Sequence, residues 1–330
     1  MKNARTVLIL GATGGIGGAI AEALLRHGWS VRGMARDAQA AQRDTDPAIA
    51  WHQGDAMNRD DVIRAATGVS TIVHAVNPPG YRNWATMVLP MIDNTIAAAR
   101  AAGGARIVLP SGIYNFNPAT TPVIRADSPQ APNSRKGAIR VELERRLEAA
   151  AREVPSLILR AGDFFGPGIR SSWFSQAMIA PHKPLARVVD VARGPGHSWA
   201  YLPDLAETFA RLLDISDQLS PFEVVQFEGV PNARGTDLSD ALDKVAGRTL
   251  PHRRFPWWLM RVLAPFGGFP REAAELAPYW RHPVRLDNQR LIELLGAEPH
   301  TPLDQAMVAT LRSMGSLPAE QQALVTGIPH

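Results

Sequence analysis

Arg5-Thr-Val-Leu-Ile-Leu-Gly-Ala-Thr-Gly-Gly-Ile-Gly-Gly-Ala-Ile-Ala-Glu-Ala-Leu-Leu-Arg-His-Gly28 decides the fold. A short apolar run, Val7 to Leu10, reads as a buried strand, the glycines as a tight turn, and the segment after them as an amphipathic helix stopped by Gly28. Gly11 suits the positive φ of a strand-to-helix turn, Gly14 leaves the backbone open to a pyrophosphate, and Gly17 allows helix and strand to pack closely. Unpaired N–H groups at the helix start then face an anion. The stretch therefore predicts a dinucleotide-binding loop, with Thr13, Gly15 and Ile16 completing the phosphate cradle.

Outward from this loop, strand-like runs recur at 30–35, 48–53, 71–76, 106–110 and 156–161, with helical patterns at 59–67, 84–102 and 135–152. The alternation predicts an α/β fold: a Rossmann-type, doubly wound parallel sheet covered on both faces. Ligands of such sheets bind beyond the carboxyl ends of the strands. After Gly162 the rhythm breaks and Pro and Gly become frequent, which predicts a smaller, mostly helical C-terminal lobe. The expected division is a dinucleotide-binding domain over 1–162, to which segments near 197–229 return, and a substrate-binding lobe over 163–330.

The chain has 330 residues, 35 basic and 31 acidic, with a formal net charge of +4 and no basic block, so nucleic-acid binding is not expected. Only Lys2, Lys136, Lys183 and Lys244 are lysines. The absence of cysteine excludes disulfides, thiolate metal sites and a cysteine nucleophile. No histidine pair has metal-binding helical spacing, and no metal is expected. No apolar run reaches spanning length and the first strand starts close to Met1, so a cytoplasmic protein without a membrane partner is the expectation.

Later motifs follow in a telling order: Gly54-Asp55, Val73-His74-Ala75, Leu109-Pro110-Ser111, Leu159-Arg160-Ala161-Gly162-Asp163-Phe164-Phe165-Gly166-Pro167-Gly168, His197 through Ala206, and Leu286 through Pro299. With these, the chain resembles the short-chain dehydrogenase/reductase superfamily, in its extended or atypical branch of NAD-dependent epimerase/dehydratase-like and isoflavone-reductase-like enzymes. The resemblance implies that Asp55 meets the adenine, that Ala75, Val76 and Asn77 line the path to the nicotinamide, and that a homodimer forms through the helices at 84–102 and 135–152. At the end of the second strand, where NAD-preferring relatives carry a carboxylate, stands Arg36. This favours NADP(H), with NAD(H) as the second possibility, because a guanidinium pairs with a 2′-phosphate and stacks on adenine. The plainer alternative is a solvated Arg36 beside an Asp37 that caps the next helix.

Most relatives use a Tyr-x-x-x-Lys pair to shuttle a proton. This pair is missing. Aligning Glu144 and Leu147 with the helix that carries it puts Lys136 and Arg140 at its positions, whereas a register two residues earlier gives Ser134 and Ala138, which have no acid-base chemistry. Four-residue spacing puts Lys136, Arg140 and Glu144 on one helical face. Isoflavone-reductase-like members share this Lys-x-x-x-Arg pattern, which implies that Lys136 handles the proton and Arg140 assists electrostatically; ordinary helix-surface chemistry is the competing reading. Ser111 matches the serine that orients the substrate oxygen. Tyr114 is a reserve phenol or a packing residue. Asp163, Phe164, Phe165, Trp173, His197 and Trp199 are candidate substrate-pocket residues, their aromatic character suiting an apolar or aromatic ligand. The expected function is an NADP(H)-dependent oxidoreductase acting on a carbonyl or conjugated double bond of a small molecule. The alternatives are a sugar-nucleotide epimerase or dehydratase, with Arg170 or Arg193 supplying charge where His197 does not, and a non-catalytic dinucleotide sensor.

Overall fold

The computed structural model describes residues 5–78, 84–169, 172–192, 194 and 196–317. The strands are β1 (Thr6–Leu10), β2 (Ser30–Ala35), β3 (Ala50–Gln53), β4 (Thr71–His74), β5 (Arg106–Ser111), β6 (Val123–Ile124), β7 (Ser156–Arg160), β8 (Asp163–Phe165), β9 (Val188–Asp190), β10 (Trp199–Tyr201), β11 (Phe222–Gln226), β12 (His252–Arg254) and β13 (Arg285–Leu286). The α-helices are α1 (Gly15–Arg26), α2 (Ala38–Asp44), α3 (Arg59–Ala65), α4 (Trp84–Ala101), α5 (Arg135–Ala150), α6 (Leu202–Asp214), α7 (Asp237–Ala246), α8 (Trp257–Leu263), α9 (Gly268–Leu276), α10 (Gln289–Leu295) and α11 (Leu303–Ser313).

Seven strands form one parallel sheet in the order β11-β7-β5-β4-β1-β2-β3. Side chains alternate across it as a strand requires. Val7 and Ile9 pack on the face covered by α1 and α6, whereas Leu8 and Leu10 pack on the face covered by α3 and α4. Strand order reverses between β1 and β4, which opens the ligand crevice there. The remaining strands pair two by two, β8 with β10, β9 with β12 and β6 with β13. They frame a second core in which Trp173, Phe174, Trp199, Trp257 and Trp280 are buried together.

The structure refines the sequence reading of the second half of the chain. Within the mostly helical lobe, the residues after α9 form a separate 3-10 turn, Ala277–Trp280, rather than continuing the helix, because Pro278 removes the donor an α-helix would need. The pieces β6, β8, β12 and β13 are too short to carry a periodic pattern. Phe222–Gln226, within the 197–229 stretch expected to return to the first domain, is the edge strand of the main sheet. No described helix is long and apolar enough to cross a membrane.

Candidate functional site: a dinucleotide cradle and a buried polar cluster

Gly11 has φ +90°, and a Cβ there would lie 2.7 Å from the Ala75 carbonyl oxygen, at the switch point between β1 and β4. A Cβ on Gly17 would stand 2.2 Å from the Gly11 carbonyl oxygen, so only glycine lets α1 close onto the loop. α1 starts at Gly14 without a side-chain cap, and Thr13 and Gly14 are exposed. Its first-turn N–H groups, from Gly15 to Gly17, thus have no intrahelical acceptor and face outward as an anion site. These features fit the pyrophosphate of a dinucleotide.

At the end of β2, Arg36 is exposed and makes no hydrogen bond or ion pair among the described residues. Asp37 caps α2 by accepting from the Ala40 N–H at 2.9 Å. Both halves of the sequence alternative for Asp37 and Arg36 thus coexist: the carboxylate is engaged locally and the guanidinium is open to a ligand. Arg32 donates instead to the Thr67 carbonyl, at the opposite end of the sheet. Asp55 is exposed, with Oδ1 accepting from the Met57 N–H. Ala75 and Val76 are half-buried and Asn77 exposed along the crevice beyond β4.

The register of β5 on β7 sets Ser111 beside Arg160 at the carboxyl edge of the sheet. The Ser111 hydroxyl donates to Glu144 Oε1 at 2.9 Å, and Arg160 Nη2 donates to Glu144 Oε2 at 2.5 Å. Gln130 Nε2 also donates to Glu144 at 2.8 Å, and Asn115 Nδ2 to Gln130 at 2.9 Å. Arg160 and Glu144 are each 2% exposed, so the ion pair is compensated by these hydrogen bonds rather than by water. Arg160 Nη1 and Asn115 Oδ1 are buried without a partner among the described residues, leaving one donor and one acceptor in this cluster.

Lys136, in the first turn of α5, is 4% exposed rather than a surface lysine. Two carboxylates on α9 hold it: Nζ donates to Glu275 Oε2 at 2.5 Å and pairs with Glu272. The Lys136 N–H donates to Glu275 Oε1 at 3.0 Å. Gly137 lets the start of α5 lie against the segment after β5, since a Cβ would meet the Tyr114 carbonyl oxygen at 2.2 Å. One turn on, the Arg140 guanidinium stacks over the Trp84 ring, 5.0 Å from its centroid. His74, at the end of β4, is buried and bonded to Thr95 Oγ1 at 2.8 Å. Burial, and secondly the charge of Arg140, push it down to about 3. The structure thus brings Ser111 to Glu144, and Lys136 to α9; Glu144 pairs with Arg160 rather than with Arg140. The Tyr114 ring packs edge-on against Tyr279 at 5.0 Å, and its carbonyl accepts from the Tyr279 hydroxyl, a packing role.

In the second lobe, His197 is buried and stacked on Trp280 at 3.7 Å, with Nε2 2.8 Å from Asp163 Oδ2 and Nδ1 3.2 Å from the Tyr279 carbonyl. Asp163 is therefore the partner of a buried histidine. Phe165 and Trp199, expected to face a ligand, are instead enclosed in the core at 0% and 1% exposure, and Trp173 is also buried, against Phe255, Trp257, Phe269 and Trp280. Phe164, on β8, remains half-buried. Arg170 and Arg193 lie outside the described residues. Among the described residues, no group of three His, Asp or Glu stands where it could hold a metal ion.

A family model described as NAD(P)H-binding matches residues 11–138, the span from the glycine loop to the start of α5. Solved structures extend the likeness over the remainder. A putative epimerase from Burkholderia cenocepacia superposes with a TM-score of 0.73 at 16% identity, covering 96% of this chain and 100% of its own. MoeE5 in complex with UDP-glucuronic acid and NAD gives 0.72 at 18% identity, over 93% of this chain and 98% of that one. Residues 11–138 thus match an NAD(P)H-binding family model, and the chain as a whole shares the fold of these solved structures. A curated Streptomyces relative, 3-diazoavenalumate denitrifying reductase, is 26% identical over 303 residues, or 84% of this chain and 96% of the relative.

Within that fold, sequence reasoning missed Glu272 and Glu275. Their spacing puts both on one side of α9, yet nothing local announces that α9 will lie against residue 136. Arg160 stood within a quoted motif, and only the β5–β7 register shows what it pairs with.

Proposed function

We infer that the chain is an NADPH-dependent reductase that delivers hydride to an apolar or aromatic small molecule. The observation that carries this reading is the exposed Arg36 guanidinium, without a partner among the described residues at the end of β2, beside a glycine cradle that fits a dinucleotide. Arg36 would pair with the 2′-phosphate and the α1 N-terminus with the pyrophosphate. Asp55 would reach the adenine, while Ala75, Val76 and Asn77 would border the nicotinamide path. The bound nicotinamide supplies the hydride.

The remaining roles fall to the polar cluster. Ser111, with its proton directed at Glu144, keeps its oxygen lone pairs for a substrate donor or for water. Arg140 and the Arg160–Glu144 pair would set the field around the substrate. A carbonyl or enone takes a proton together with hydride, and Lys136 is the nearest counterpart of the missing tyrosine. Its ammonium is committed to Glu272 and Glu275, so proton donation would leave two carboxylates facing an amine. An aryldiazonium group needs hydride alone: the C–N bond breaks, a C–H bond forms and dinitrogen leaves. The carboxylate-bound Lys136 favours this second acceptor class, as does the relative named for denitrification of a diazo compound. A sugar-nucleotide epimerase is less well supported because the Tyr-x-x-x-Lys positions hold Lys136 and Arg140.

Single-turnover reactions with NADPH deuterated on the transferred position test the reading, using aromatic ketones, enones and aryldiazonium salts as acceptors. Deuterium in the product, absent without protein, supports it. NADPH that binds but reduces none of these classes moves the dinucleotide sensor ahead.

A further inference from the structure

The α8–α9 hairpin presents an apolar and basic face that the reductase reading leaves unused. α8 buries Trp257 and Met260 and turns Trp258 and Val262, one turn apart, to solvent at 62% and 61% exposure. At the hairpin tip Phe266 is 86% exposed, and Phe269 follows at 47%. Two glycines with positive φ, Gly267 and Gly268, set the tip. From Gly247 to Arg271 the chain has five arginines and no Asp or Glu. Arg248, Arg253, Arg254, Arg261 and Arg271 are all exposed, and none pairs with a carboxylate among the described residues. Arg261 shares the outward face of α8, and Arg271 folds back onto the Ala264 and Pro265 carbonyls beside Phe266.

We propose that this hairpin docks on an anionic lipid surface. Aromatic and aliphatic side chains at an exposed tip enter the headgroup region, and arginines around them meet lipid phosphates. A second copy of the chain fits less well, because a twofold contact would set these arginines against one another. The carboxylates of the hairpin, Glu272 and Glu275, turn to Lys136, so the hairpin's own remaining charges, Arg261 and Arg271, are of one sign. This departs from the sequence expectation of no membrane partner, which concerned spanning segments. It does not depend on the hydride-transfer reading.

The test sediments the full chain with vesicles of phosphatidylcholine alone and with vesicles containing phosphatidylglycerol. The proposal expects binding to the anionic vesicles only, weakened by salt. Trp258→Ser with Phe266→Ser should cut the partition coefficient about tenfold or more. Arg253→Gln, Arg261→Gln and Arg271→Gln together should remove the preference for anionic lipid. No binding to anionic vesicles, or binding that survives both sets of changes, overturns the proposal. So does a concentration-dependent dimer that Trp258→Ser with Phe266→Ser dissociates, which would assign the face to a second copy.

Discussion

Replacing Lys136 by Met separates a structural lysine from a purely chemical one. Methionine keeps much of the length and apolar stem but removes the ammonium, leaving Glu272 and Glu275, each 26% exposed at the side chain, to face one another. Removing one partner of a fully buried pair costs about 3–5 kcal/mol. Partial exposure lets water screen the two carboxylates, which brings the expected loss down to roughly 2–3 kcal/mol. For a chain of this size that corresponds to a Tm lowered by about 3–4 °C. Thermal and urea unfolding at neutral pH measure it, and Lys136→Met combined with Glu272→Gln and Glu275→Gln should recover most of the loss. A Lys136→Met protein with unchanged stability would refute the argument that α9 is held to α5 through this ammonium.

Gly17→Val places a side chain where even a Cβ meets the Gly11 carbonyl at 2.2 Å, so dinucleotide affinity in a fluorescence titration should drop about a hundredfold or more. His74 is held down to about 3 by burial and by Arg140, so below its unfolded value near 6.5 only the unfolded state takes the proton. Stability should then decline by about 1.4 kcal/mol per pH unit from this group as pH falls through that window, and urea midpoints for His74→Gln should show a shallower decline. His27 behaves oppositely: burial pulls it down, but hydrogen bonds to Asp214 and Glu207 outweigh that and leave it raised. Its stabilisation is present below about 6.5 and is lost as pH rises through the folded value, so His27→Ala should cost more at pH about 5.5 than at about 8.5.

The dinucleotide half of the molecule was legible because its signals are local. The glycine spacing from Gly11 to Gly17 states its own geometry, and the run Val7 to Leu10 states its burial. The polar cluster was half legible. Ser111, Lys136 and Glu144 could be named from strand order and helical spacing, yet their partners come from distant segments. Ser111 finds Glu144 through the height of α5 against β5, and Lys136 finds α9 across more than a hundred residues of chain. The aromatic lobe was least legible. Trp199 and Phe165 look the same in sequence whether they line a ligand or fill a core, and only the mutual packing of the tryptophans decides.

Parallel titration of the protein and of Arg36→Ala with NADPH and NADH, followed by nicotinamide fluorescence, tests the central claim most directly. A guanidinium that hydrogen-bonds a phosphate contributes about 1.5–3 kcal/mol, or about 10–150-fold in affinity. The account predicts tighter binding of NADPH than of NADH and loss of that preference in Arg36→Ala, with NADH binding weakened much less than NADPH binding. Equal affinities in the unaltered protein, or a preference for NADPH that survives the substitution, would contradict it.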